Sequence, residues 1–304
     1  MKRRSRYVFR GLWSLCAVPF LEGCSKIVLF YPKGPIGDAE RFVILAAIAL
    51  MLIVVIPVFI MAFWFSRKYR ASNTNATYMP KWSDSSRIDL VIWLVPVAIV
   101  TALGILAWVQ THRLDPYRPI DPSARPISIE AVSLDWKWLF IYPDQNIAVV
   151  NRLVFPAKVP LSFRLTSGTV MTSFFIPQLG SQIYAMAGMQ TRLHLMADGP
   201  GVYFGQNQQL SGRGFADMSF KAIAVSPDQF QMWIQRARQS PDKLDLARFE
   251  EIAKPSVGYA VTYFSSVRPD LFDQIISKYR PARVNPGAAD KRTSSTHMEA
   301  LEAG

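Results

Sequence analysis

Cys24 is the first residue whose setting points to chemistry. It follows Gly23 at the end of a short apolar stretch, Gly11 to Leu21, and that stretch follows Lys2, Arg3, Arg4, Arg6 and Arg10. A basic head, an apolar run too short to span a bilayer and a small residue before Cys make an export signal over 1–23, with Cys24 as the acylated N-terminus. Glu22 departs from that pattern, and an uncleaved anchor with an incidental Cys is the alternative. Asp89 is the second such residue. It stands one position before the uncharged run Leu90 to Val109. A carboxylate at a membrane boundary is a candidate for proton or ion transfer. The same group also suits the positive end of a helix dipole, and both readings stand. The three histidines, His112, His194 and His297, are too dispersed to build a site. Met186, Met189 and Met218 are soft copper ligands in principle, but methionine is more often a gap-filler. There is no phosphate loop, no Gly-x-Ser-x-Gly elbow and no haem-attachment motif.

The elements that would carry these residues are readable from patterning. The chain has 304 residues, is half hydrophobic and only 18% charged, with a net charge of +12. Disorder is excluded by the apolar content, and two Cys cannot make a disulfide framework or a multi-cysteine metal domain. Phe42 to Phe65 and Leu90 to Val109 contain no charge. Each is long enough to cross a membrane, so spans are expected at 42–65 and 90–110. The segment between them (66–89) carries Arg67, Lys68, Arg70, Lys81 and Arg87 against Asp84 and Asp89, which places it in the cytoplasm. Residues 24–41 and everything past 110 then lie outside. The basic excess sits largely at these membrane flanks, and no nucleic-acid partner is expected.

A Pro-rich linker is predicted over 111–126. After it the apolar period becomes 2, as in Ile127, Ile129 and Ala131, in Leu161, Phe163 and Leu165, and in Leu193 and Leu195. That period over 127–226 predicts an antiparallel sandwich. From 227 to 280 a helical extension is expected. Ser226-Pro227-Asp228 and Ser240-Pro241-Asp242 each read as an N-cap before a first-turn proline. Phe230, Trp233, Ile234 and Ala237 share one helical face, as do Leu271, Phe272, Ile275, Ile276 and Tyr279. Residues 281–304 read as a disordered tail.

Three segments carry a resemblance. Val170-Met171-Thr172-Ser173-Phe174-Phe175-Ile176-Pro177-Gln178-Leu179-Gly180, the run from Gly201 to Gly212, and Asp135-Trp136-Lys137-Trp138 are similar to segments of subunit II of haem–copper oxidases. The order of two spans, a linker and an external domain also matches. The resemblance implies a cupredoxin-like sandwich on a two-helix membrane hairpin. In the cytochrome c branch of that family the domain holds a dinuclear copper centre. Here Thr172 stands where that branch has its first His, and Asn207 and Ser211 where it has two Cys. Gln209 replaces a Glu, Phe215 replaces the second His, and Met218 alone is retained. Without thiolates a copper pair has no bridging ligands.

The resemblance therefore implies the quinol branch, in which subunit II lacks its own redox centre. On that reading the chain is a structural and assembly subunit of a proton-pumping terminal ubiquinol oxidase and is not catalytic alone. It implies haems and copper in the partner subunit I, further small membrane subunits and membrane lipid as partners, and no cytochrome c. Residues 113–226 carry ten basic and seven acidic side chains, a poor surface for a basic cytochrome. The expected location is the bacterial inner membrane with the C-terminal domain in the periplasm. The resemblance puts Asp89 near the mouth of a proton path into subunit I. It leaves Trp136 as an aromatic packing residue and the uncharged segment 181–189 facing other subunits. The rival readings are a copper-carrying cytochrome c oxidase subunit II and a free-standing lipoprotein that binds copper or a partner.

Overall fold

The computed structural model describes residues 28–279 apart from 76, 78, 80–82 and 84. The expected signal peptide, Cys24 and the expected tail lie outside the described residues. Two long helices come first, α1 (Pro35–Lys68) and α2 (Ser86–Arg113). Their most apolar 18-residue windows have mean hydropathies of 3.3 and 2.6, and neither window is buried within the chain. Helices that are apolar all round need lipid or other membrane helices as surroundings. Both helices overrun the spans expected from uncharged residues alone. Pro35 opens α1 seven residues before Phe42, since proline is preorganised for a first turn whose N–H is unpaired anyway. Asp38 lies in that first turn and Arg67 and Lys68 in the last, matching the helix dipole. So the external segment 24–41 is partly the head of the membrane helix.

Eleven strands follow. They are β1 (Ile127–Leu134), β2 (Lys137–Tyr142), β3 (Ile147–Val150), β4 (Arg152–Pro156), β5 (Leu161–Ser167), β6 (Thr172–Phe175), β7 (Gln182–Ala185), β8 (Thr191–Leu195), β9 (Gly201–Gln206), β10 (Ser219–Val225) and β11 (Tyr263–Phe264). They form two packed sheets, one in the order β11-β3-β2-β1-β5-β8 and the other β4-β10-β9-β6-β7. Pairing is antiparallel except for β1 with β5 and β4 with β10. The alternation predicted for Ile127 to Ala131 holds on the inner face, where Ile129 and Ala131 join the core with Trp138, Phe140, Phe163 and Phe174. Trp138, Phe174 and Phe220 meet edge-on or stacked with ring centroids 5.3–6.0 Å apart. Such pairs add to the area they bury.

The extension is built from α3 (Pro227–Arg238), α4 (Leu246–Ile252) and α5 (Leu271–Lys278). Ser226 caps α3 as expected. Its Oγ accepts from Gln229 N, and the Gln229 side chain accepts from Ser226 N. Ser240-Pro241-Asp242 does not start a helix, contrary to the sequence expectation. Ser240 Oγ instead donates to Tyr263 O (2.6 Å) and accepts from Asp242 N, closing a local turn. The next helix starts later, with Asp245 accepting from Arg248 N. The extension is also not purely helical, because Tyr263 and Phe264 add a strand to the edge of the first sheet at β3.

The sandwich is fastened to the external ends of both membrane helices. Lys33 N donates to Gln178 O, Gly37 N to Leu179 O and Asp198 N to Lys33 O. Glu40 accepts from Ser181 N at 2.8 Å. A Cβ at Gly180, whose φ is +93°, would lie 2.6 Å from Gly37 N, so only glycine allows this approach. From the segment just after α2, Pro116 O lies 3.0 Å from His194 Nδ1.

Candidate functional site

The turn between β1 and β2 is two residues long, Asp135 and Trp136, because Leu134 pairs with Lys137. Trp136 sits at φ 64°. A bulky residue there is strained and persists only where its surroundings hold it. The indole N–H donates to Ser211 O at 2.9 Å. The ring lies over Gly214, where a Cβ would come within 2.4 Å of it. Trp136 is thus a lid on the loop 207–218, which the sequence reading had only as a packing aromatic.

Beneath that lid is a polar knot centred on Asn207, itself buried. Its Oδ1 accepts from Ser173 N (2.8 Å) and Gln209 N (2.9 Å). Its Nδ2 donates to Gln209 O (2.8 Å) and Ser211 Oγ (3.1 Å) and faces Met218 Sδ at 3.4 Å. Ser211 Oγ lies 3.9 Å from the same sulfur. Gln208 N donates to Ser173 Oγ. The structure therefore brings together Asn207, Ser211, Met218 and the Gln209 carbonyl, four of the six positions singled out from sequence. Thr172 is fully buried on β6 and its hydroxyl has no partner among the described residues. Phe215 is half-buried in the one-turn helix Phe215–Asp217 and makes no hydrogen bond through its side chain.

This donor set does not fit a copper pair. An amide, two hydroxyls, a phenyl ring and one thioether offer no thiolate and no imidazole. The amide is also spent. Asn207 has satisfied its donor and acceptor capacity within the loop and with Ser173 of β6, and a metal would have to break that knot. Among the described residues no three His, Cys, Asp or Glu side chains converge to hold a metal ion. Met186 and Met189 lend carbonyls, not sulfurs, to Thr166 Oγ1.

The remaining candidates lie apart from this knot. Asp89 is exposed in the first turn of α2, and Asp89 N donates to Ser85 O. The His112 ring lies tilted against Trp108, centroids 4.5 Å apart, near the end of the same helix. His194 joins the linker to β5, with Nε2 3.3 Å from Ser162 Oγ.

Two buried charges were not foreseen. Lys137, next to the lid, is fully buried on the outer face of the first sheet. Its Nζ donates to Ile252 O (2.8 Å) and Lys254 O (2.7 Å) and lies 5.0 Å from the Tyr259 ring. Burial pushes its amine down, opposed by Asp135. Glu130 pairs with Arg164 at 2.8 Å, and Arg164 also reaches Asp273 on α5 at 2.9 Å. Burial pushes Glu130 up to about 7, against the pull of Arg164, with Asp273 adding to the rise. The signal for both was a charge inside an otherwise apolar strand. Only the packed extension turns that into burial.

A two-helix membrane hairpin carrying a two-sheet sandwich is the architecture of the subunit-II class of terminal oxidases. The family models agree. Residues 144–225 match "Cytochrome C oxidase subunit II, periplasmic domain" and 238–281 match "COX Aromatic Rich Motif". The chain is 51% identical over 292 residues to "Cytochrome bo(3) ubiquinol oxidase subunit 2" of Pseudomonas aeruginosa, covering 96% of this chain and 88% of the relative. It is 46% identical to "Ubiquinol oxidase subunit 2" of Acetobacter aceti, covering 90% and 89%. It is 34% identical to "Quinol oxidase subunit 2" of Bacillus cereus, covering 86% and 91%. The chain belongs to the ubiquinol oxidase subunit 2 family. It is a subunit of an oxidoreductase complex and a membrane protein with a periplasmic C-terminal domain.

Proposed function

We infer that the chain is the scaffold subunit of a proton-pumping terminal oxidase that takes electrons from ubiquinol in the bacterial inner membrane and passes them to oxygen. The observation that carries this reading is the Asn207 knot, which occupies the place of a copper centre with groups that do not bind copper. With no electron path through the periplasmic domain, the redox chemistry falls to a partner subunit I holding haem and copper. This chain then supplies two membrane helices and a rigid external domain to the assembly, and no cytochrome c docks on it.

Affinity purification of the tagged chain tests this. A haem-bearing membrane subunit and quinol-dependent oxygen uptake are expected, with no copper bound by the isolated chain. Stoichiometric copper on the isolated chain would refute the reading. A stricter form rebuilds the site with Thr172→His, Asn207→Cys, Ser211→Cys and Phe215→His, Met218 staying in place. The rebuilt chain should then take up copper with intense thiolate-to-metal absorption.

The same reading assigns Asp89 to proton delivery at the cytoplasmic mouth of α2, supported by an exposed carboxylate at the head of a membrane helix. Asp89→Asn should slow turnover several-fold at unchanged haem content, and Asp89→Glu should not. Equal rates for wild type and Asp89→Asn at saturating quinol would leave only the dipole role. Acylation of Cys24 belongs to the same reading, and the intact mass of the mature chain reports it.

A further inference from the structure

Where α3 and the turn at 239–242 meet the edge strands β4 and β11 lies an open cleft of about 560 Å³. That is the size range of small-ligand sites. Arg152 and Arg236 stand on its walls with Trp233 and Tyr263. Arg152 Nη1 donates to the Tyr263 hydroxyl at 2.8 Å. Lys221 lies beside Arg152 on the neighbouring strand, at the same register. None of these three cations has a carboxylate within ion-pair distance among the described residues. The one acid on the wall, Asp242, is turned to Arg248 at 3.7 Å. Arg152 Nε and Trp233 Nε1 are shut off from solvent and have no acceptor among the described residues. Such donors cost free energy until an acceptor reaches them.

The cleft has an apolar continuation. A second groove shares Arg152, Trp233, Arg236 and Tyr263 and runs on over Val154, Ile223 and Val225. Val202, opposite Ile223, extends this floor and is 64% exposed. The apolar end is the one tied toward the membrane. Ala157 N donates to Val225 O, Lys158 N to Ala197 O and Asp198 N to Lys33 O, and Lys33 precedes α1 by two residues. Positive charge at one end and apolar surface leading to the membrane helix match one kind of molecule.

We propose that this cleft binds an anionic lipid. The phosphate of the headgroup sits against Arg152 and Arg236, whose guanidinium forks suit phosphate oxygens. The acyl chain lies over Val154, Ile223 and Val202 toward the membrane end. A zwitterionic headgroup would bring a cation against three uncompensated positive charges, so the site discriminates by net charge.

The test uses the intact oxidase complex in detergent and phosphatidylglycerol with a fluorescent chain. Arg236 and Lys221 are exposed, so Arg236→Gln with Lys221→Gln preserves the fold, which haem content and quinol turnover would verify. The double variant should bind phosphatidylglycerol about tenfold more weakly, while phosphatidylcholine binds both proteins equally weakly. Val202→Ser with Ile223→Ser should weaken the lipid and leave the affinity for inorganic phosphate unchanged. Equal phosphatidylglycerol affinity in wild type and both variants would overturn the proposal, and that is also the result if another subunit covers the cleft. Inorganic phosphate binding as tightly as the lipid would overturn it too, by showing a simple anion site.

Discussion

The outer faces of the two sheets have opposite fates. On the first sheet, Val132, Leu134, Leu139 and Ile141 are covered by Phe249, Ile252, Leu271, Phe272 and Ile276 of the extension. On the second, Val202 and Phe204 remain 64% and 54% exposed. Both faces carry apolar residues at alternate positions. The difference is that, among the described residues, the extension covers the first face and nothing covers Val202 and Phe204 on the second. The covered face is locked by charge as well as by packing. Lys137 holds the carbonyls that end α4, and Arg164 bridges Glu130 to α5. Arg164 also lies 4.7 Å from the centroid of the Phe272 ring. A face completed in cis is fixed during folding, whereas an apolar face left open is available to a ligand or a neighbour.

The sharpest way to break the comparison is to uncover the first sheet. Leu271 is fully buried at the head of α5. Leu271→Asp should cost at least ~4 kcal/mol by burying an unpaired charge. Urea unfolding of the chain in detergent checks this, and loss of the extension should expose the periplasmic domain to protease. A cost under about 1 kcal/mol would mean the extension is not integral to the fold.

A gentler test uses pH. Glu130 has its carboxyl raised from 4.5 to about 7 in the folded chain. The folded state therefore binds that proton more tightly than the unfolded state. Stability from this group should be greatest below pH 4.5, fall between about 4.5 and 7, and level off above. The full rise corresponds to about 3 kcal/mol; solvent screening of the partly exposed pair lowers the expected drop to about 2 kcal/mol, and Glu130→Gln should flatten it. Arg164 keeps Gln190 and Asp273 in that variant, so the fold survives. An unchanged slope in Glu130→Gln would assign the pH dependence to other groups.

The smallest effect is expected on the open face. Val202→Ser should change the stability of the isolated chain by less than about 0.5 kcal/mol, the usual range for exposed sites. A larger loss would show that this face is covered within the chain after all.

The periodicity of single segments was legible because burial on one side imposes it. Phe230, Ile234 and Ala237 on α3, and Leu271, Phe272, Ile275 and Ile276 on α5, are buried as their spacing implies. The Ser226 cap was legible too, since its partner is three residues away. The look-alike cap at Ser240 failed because a residue 23 positions on, Tyr263, took its hydroxyl. The strand at Tyr263 was invisible for a related reason: two residues have no period, and their pairing partner Val149 is 114 positions earlier.

The sequence by itself determined the membrane hairpin, the sandwich and the lack of thiolate and imidazole donors at Thr172, Asn207, Gln209, Ser211, Phe215 and Met218. Uncharged length, two-residue alternation and the identity of donor atoms are local properties. The tertiary structure alone decided how those residues are used. It folded Ser173, Asn207, Gln209, Ser211 and Met218 into one knot and closed it with Trp136 from a distant turn. It alone decided that Lys137 and Glu130 are buried and that, among the described residues, Val202 and Phe204 stay uncovered. Burial and hydrogen-bond partnership depend on which surfaces meet, and these contacts join residues as far apart as Lys137 and Lys254.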